Sequence, residues 1–192
     1  MPQTNIRSFI ALDIQNEIKD SICEIQNRIK KTNAVKGSWV NKDNLHLTLK
    51  FLGDTQIQKI DSIKNCIQEN LEGIKKINCN LKGLGVFPNL QSGRILWIGI
   101  EKGNDIIIDL AEKLDNSLLK LHFTKEKRGF YSHITICRIK QISNPKLFDW
   151  TIQEINKNFQ PLEFIIDKLI FFESKLTPQG PIYTPLHVLN LK

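Results

Sequence analysis

The apolar positions of this chain change period along its length. Arg7 to Asp13 (RSFIALD) is rich in strand formers, and then Ile14, Ile18, Ile22, Ile25 and Ile29 recur every three or four residues. This predicts a strand running into an amphipathic helix. After a basic, glycine-containing connection (Lys30 to Gly37), LHLTLKFLG alternates with period two and stops at glycine, and Ile57, Ile60, Ile63 and Ile67 restore the helical spacing. Two strand candidates, Ile77 to Phe87 and Arg94 to Ile100, flank the turn-rich PNLQSG. Leu110, Leu114, Leu118 and Leu121 mark a third helix from about Asp105.

A charged loop (Lys125 to Gly129) leads into YSHITICRI, read as a strand, and Asn144 caps a fourth helix with Pro145 in its first turn. Two last strands, Phe164 to Glu173 and Ile182 to Leu189, surround TPQGP. No Gly-, Ser- or Pro-rich linker interrupts this succession, so the expectation is α+β, one domain over residues 1–192.

Composition narrows the class. With 41% hydrophobic and 24% charged residues, the chain is neither disordered nor membrane-embedded in character. No apolar run reaches bilayer length, and Met1 to Asp13 lacks the regions of a signal peptide, which predicts a cytoplasmic protein. Cys23, Cys66, Cys79 and Cys137 form no CxxC pair and read as reduced thiols. The net charge of +7 favours an anionic partner such as RNA, although a lysine-biased composition produces much of it unaided.

The candidate chemistry sits in two strands, His46-Leu47-Thr48-Leu49 and His133-Ile134-Thr135-Ile136. Strand alternation puts His46 and Thr48 on one face, ~6.6 Å apart, with Leu45, Leu47 and Leu49 on the other. The same parity groups His133, Thr135 and Cys137. Four histidines and nine threonines in 192 residues give roughly 0.2 chance HxT pairings, yet three occur. The third, His122-Phe123-Thr124, ends a helical stripe and runs into Lys125, Glu126, Lys127 and Arg128, so His122 reads as structural, as does His187 after Pro185. A single HxT is more often a satisfied histidine on a sheet face than a reacting group. Two in matching strands argue otherwise.

Opening a cyclic phosphodiester needs a base to activate water and an acid to protonate the leaving ribose oxygen, and two imidazoles supply both near neutral pH. Thr48 and Thr135 hydroxyls suit the nonbridging oxygens, and Arg138 offers a planar donor fork for phosphate, though an arginine closing a strand is as often solvated. Neither histidine has a second ligand at zinc spacing, so no metal is expected.

The stretches RSFIALDI, SWVNKDNLHLTLKFLGD, GVFPNLQSGRILWIGI, FYSHITICRIK and LIFFESKLTPQGPIY together resemble the 2H phosphoesterase superfamily, in particular the RNA 2',3'-cyclic phosphodiesterases, also called 2'-5' RNA ligase-like proteins. The resemblance covers nearly the whole chain. It implies a bilobal fold of two pseudo-symmetric lobes around a central cleft, no cofactor, His46 as proton donor, His133 as proton acceptor, and Thr48, Thr135 and Arg138 as phosphate contacts. Its substrate would be RNA with a 2',3'-cyclic phosphate end or a cyclic nucleotide, acted on by a monomer with no obligate protein partner. Ser132 departs from the proline usual before the second histidine, which implies a less rigid approach to that strand. Reversible 2'-5' ligation, small cyclic nucleotides and non-catalytic binding of RNA ends are the competing readings.

Overall fold

The computed structural model describes residues 4–126 and 129–192. Lys127 and Arg128, part of the expected charged loop, and Met1 to Gln3 lie outside the described residues. The chain forms β1 (Asn5–Leu12), α1 (Asn16–Lys31), β2 (Val35–Trp39), β3 (Leu47–Gln56), α2 (Ile60–Leu71), β4 (Ile77–Phe87), β5 (Ile95–Ile100), α3 (Asn104–Leu118), β6 (His133–Ile142), α4 (Pro145–Lys157), β7 (Glu163–Ile166), β8 (Lys168–Thr177) and β9 (Gly180–Asn190).

The strands pair antiparallel in the order β7-β4-β5-β6-β3-β1-β8-β9, with β2 joined to β6. Only the pair Leu47 and Ile134 links β3 to β6. Beyond it β6 turns to β2 and β3 turns to β1, so the sheet divides into two lobes about that seam.

The isoleucine stripe behaves as its spacing requires: Ile18, Ile22, Ile25 and Ile29 of α1 are all buried. Each such side chain, removed from water, stabilises the fold by about 1.5–3 kcal/mol. Helix α4 begins as its sequence predicts, with the Asn144 side chain accepting from Leu147 N at 3.1 Å and proline following. Helix α1 packs on β2 and α4 on β4, while α2 and α3 pack on each other and touch β9 and β3. The buried faces of all four helices join the inward residues of the central strands, such as Leu47, Leu49, Ile134 and Ile136, in one apolar core, while Thr48, His133, Thr135 and Arg138 stay part-exposed or exposed on the side that remains open.

Two elements differ from the sequence reading. The supposed connection at Lys30 to Gly37 contains most of β2, because Gly37 serves close approach and not a turn. A Cβ there would lie 2.6 Å from the Arg138 carbonyl oxygen. The single strand expected over Phe164 to Glu173 is two strands split at Asp167, since β7 pairs with β4 in one lobe and β8 with β1 in the other.

Candidate active site

Leu47 and Ile134 face each other across the seam and are fully buried against the helices. Their flanking residues must therefore point to the open side. Continuing that antiparallel register sets His46 across from Thr135 and Thr48 across from His133, so the two motifs interleave on one surface. Neighbouring strands are ~4.8 Å apart and alternate residues ~6.6 Å, which leaves the two histidines on a diagonal of roughly 8 Å between Cα atoms.

Each imidazole is held the same way. His46 Nδ1 meets the Asn44 carbonyl at 2.8 Å, and His133 Nδ1 meets the Tyr131 carbonyl at 2.7 Å. A carbonyl only accepts, so Nδ1 carries the hydrogen and, in the neutral ring, Nε2 keeps a lone pair. In His46 that lone pair accepts from the Thr48 hydroxyl at 2.9 Å.

Aromatic rings surround both groups. Phe9, Phe172 and Tyr183 have centroids 4.9, 6.5 and 5.4 Å from His46, and Phe87, Trp97 and Tyr131 lie 5.2, 6.2 and 6.5 Å from His133. This apolar packing disfavours the charged rings. It brings the His46 pKa down to about 4, helped by the positive charges of Lys19 and Arg138, against the opposing pull of its carbonyl bond. Burial also lowers His133.

The phase of both strands changes after the threonine. Ala11 pairs with Thr48 and Ile10 with Lys50, so Leu49 is a bulge. Trp97 pairs with Thr135 and Leu96 with Cys137, so Ile136 is another. This corrects the expected grouping of Cys137 with His133 and Thr135. Cys137 is fully buried, and the extra residue turns Arg138 to the open face instead. The equivalent exposed residue of the first motif is Phe51.

The second bulge is pinned from behind. The Ile136 carbonyl accepts from Val40 N at 3.0 Å and from Gln26 Nε2 at 2.8 Å, and the same amide donates to the Val40 carbonyl at 2.9 Å. Gln26 is a buried polar residue inside the stripe of α1. Ser132 is likewise not a loose substitute for proline. It is buried, and its hydroxyl donates to Asn104 Oδ1 at the start of α3.

The other two histidines lie elsewhere. His122 caps the chain after α3 with φ 62° and lines a cavity of about 380 Å3 with Lys59, Phe123 and Thr124. Beside it Lys50 is buried in an ion pair with Asp115 and donates to the Thr124 carbonyl at 2.6 Å. His187 sits on β9, and the charge of Lys64 from α2 acts on it. Among the described residues there is no group of three or more His, Cys, Asp or Glu placed to hold a metal. Among the described residues no helix is long and apolar enough to cross a membrane.

Sequence reasoning missed the six aromatic neighbours, although both tyrosines of the chain are among them. It also missed Arg7, whose charge acts on Tyr183 together with that of Arg138.

Comparison with known proteins fits this duplicated arrangement. The family model described as LigT like Phosphoesterase matches twice, over residues 12–97 and 98–183; the first match holds His46-Leu47-Thr48 and the second His133-Ile134-Thr135. The chain is 36% identical over 182 residues to an RNA 2',3'-cyclic phosphodiesterase of Thermotoga maritima, covering 95% of this chain and 94% of that one. Its identity to the protein of that name from Methanothermobacter thermautotrophicus is 33%, over 97% and 99%. Among solved structures, a Thermus thermophilus protein superposes with TM-score 0.78 at 24% identity, over 97% of this chain and 98% of that one. E. coli LigT complexed with 3'-AMP gives 0.76 at 23%, with the same coverage. The structural likeness shows a shared fold.

Proposed function

The chain belongs to the LigT-like phosphoesterase family, and from that premise we propose that it hydrolyses a 2',3'-cyclic phosphate at an RNA end to a 2'-phosphomonoester. The observation that carries this reading is the single rung Leu47 to Ile134, which interleaves the two HxT motifs on one open face. His133 Nε2 takes a proton from water as the water oxygen bonds to phosphorus. His46 Nε2 gives a proton to the departing 3' oxygen as the P–O bond breaks.

Thr48 and Thr135 then donate to the nonbridging oxygens, where charge gathers in the transition state. Once His46 is protonated it no longer accepts from Thr48, which frees that hydroxyl for the phosphate. Arg138, turned to the cleft by the Ile136 bulge, adds a fixed charge and a forked donor. At one end of the cleft stand two exposed aromatics, Phe51 and Tyr131, 61% and 50% accessible. Antiparallel register puts them at the same end, and they suit the faces of the terminal base.

We read residues 1–192 as one domain acting as a monomer without cofactor. Four unpaired cysteines support a reducing, cytoplasmic setting. The test is RNA ending in a 2',3'-cyclic phosphate, incubated with chelator, followed by identification of the ribose oxygen that keeps the phosphate. His46→Ala and His133→Ala should each lower turnover at least ~100-fold with the fold retained. Near-normal rates in both would refute the assignment.

A further inference from the structure

Resting on the reading above, we infer that the RNA upstream of the cyclic phosphate leaves the cleft along the exposed face of β2 and β6, where Lys36 and Lys140 receive its backbone phosphates. The direction follows from the sugar. In a ribose the base-bearing C1' and the C4' that leads to the 5' oxygen stand on opposite flanks of the 2',3' edge. With phosphorus between His46 and His133 and the base toward Phe51 and Tyr131, the 5' oxygen points to the other end of the cleft. The first side chain there is Arg138.

Beyond Arg138 the surface is built for a polyanion. Ser38 pairs with Arg138 and Lys36 with Gln141, while Val35 and Ile139 turn inward to α1 and are buried. Lys36, Ser38, Arg138, Lys140 and Gln141 are all exposed. Gly37 pairs with Ile139 and Lys36 with Gln141, so Lys140 is the extra residue of a bulge between them, free of the ladder. From Arg138 to Gln141 the strand covers about 10 Å, room for one or two backbone phosphates.

Among the described residues no carboxylate forms an ion pair with Lys36, Arg138 or Lys140. At the opposite end, by contrast, the cleft-facing Arg7 stands across from Asp54. Unneutralised cations set two strand positions apart match a single strand's backbone, whose contacts are chiefly electrostatic.

The test compares wild type, the double variant Lys36→Glu/Lys140→Glu, and a control double variant Lys113→Glu/Lys146→Glu with the same charge change on α3 and α4. Each is assayed on an RNA decamer ending in a 2',3'-cyclic phosphate and on adenosine 2',3'-cyclic monophosphate. The track variant should raise KM for the decamer on the order of tenfold and flatten its salt slope by about 1.4, two contacts at about 0.7 each. Its kinetics on the mononucleotide should match wild type, which also shows the fold is intact. The control should handle both substrates normally. A track variant with an unaltered decamer KM, or a control with an equal defect, overturns the inference. A wild-type protein that hydrolyses neither substrate overturns the reading of the cleft itself.

Discussion

Placing an anion between the two imidazoles is expected to load a proton onto His46. In the empty cleft its pKa is about 4, so at pH 7 the charged ring lies ~3 pH units, or ~4 kcal/mol, uphill. The ring edge still meets the open face, and water there trims that figure. A phosphate monoanion about 4 Å away, at an effective dielectric near 20, returns about 4 kcal/mol. The two magnitudes offset each other, so the substrate itself makes the acid. Two-dimensional NMR of the His46 Cε1–H, assigned with His46→Gln and titrated with and without saturating adenosine 2'-monophosphate, checks this. The free midpoint should fall below 5 and the bound one at least two units higher. Because the complex then holds a proton that the free protein lacks, affinity should weaken as pH rises between the two midpoints. Calorimetry in two buffers should show proton uptake at pH 6. Free and bound midpoints within half a unit of each other would refute the reasoning.

Three further outcomes follow from the same geometry. An unfolded histidine takes a proton below about pH 6.5, whereas folded His46 does so only near 4, so its neutral burial costs nothing above 6.5 and destabilises progressively as pH falls to 4. The loss is up to ~3 kcal/mol, and His46→Gln should lack it in urea denaturation at pH 7 and 4.5; an identical pH dependence would contradict the burial argument. In Gly85→Ala the new Cβ would lie 2.1 Å from Trp97 Cζ2, pushing that ring against its neighbour His133. The expected cost is about 1–3 kcal/mol with a drop in turnover, and a variant with wild-type urea midpoint and rate would sink it. Gln26→Leu leaves the Val40 carbonyl without its side-chain donor, which should cost about 1–3 kcal/mol and raise KM as Arg138 loses its aim; unchanged stability and KM would show that the bulge holds itself.

The alternation in LHLTL and HITI made the central strands legible, because a strand covered on one side must send every second residue inward. What alternation could not reveal was where it breaks. The bulges at Leu49 and Ile136 depend on which carbonyls find donors, and for Ile136 those donors are Val40 and Gln26, 96 and 110 positions away. Hence alternation sets Cys137 on the wrong face, while Arg138 is singled out by its donor fork and its place just beyond the second motif, not by parity. Strand β2 was hidden because a glycine in a basic stretch signals a turn locally, and only the approach of the Arg138 backbone explains it. The aromatic walls escaped notice for a similar reason. Phe9, Phe172 and Tyr183 come from three strands, and nothing local marks them as neighbours of one ring.

The matched kinks after the two threonines give the open face an approximate two-fold axis, and on the proposed reading such an axis through the phosphorus poses a difficulty. If both halves presented the same groups, a bound nucleotide could sit in either of two opposite orientations, and neither imidazole would have a fixed task. The position five residues beyond each histidine breaks the symmetry, with a flat hydrocarbon ring exposed in one half and a cation in the other, and under the proposed reading that difference would give the sugar a preferred heading. Exchanging the side chains at 51 and 138 would therefore be expected to turn the ligand around, and with it the division of labour between donor and acceptor.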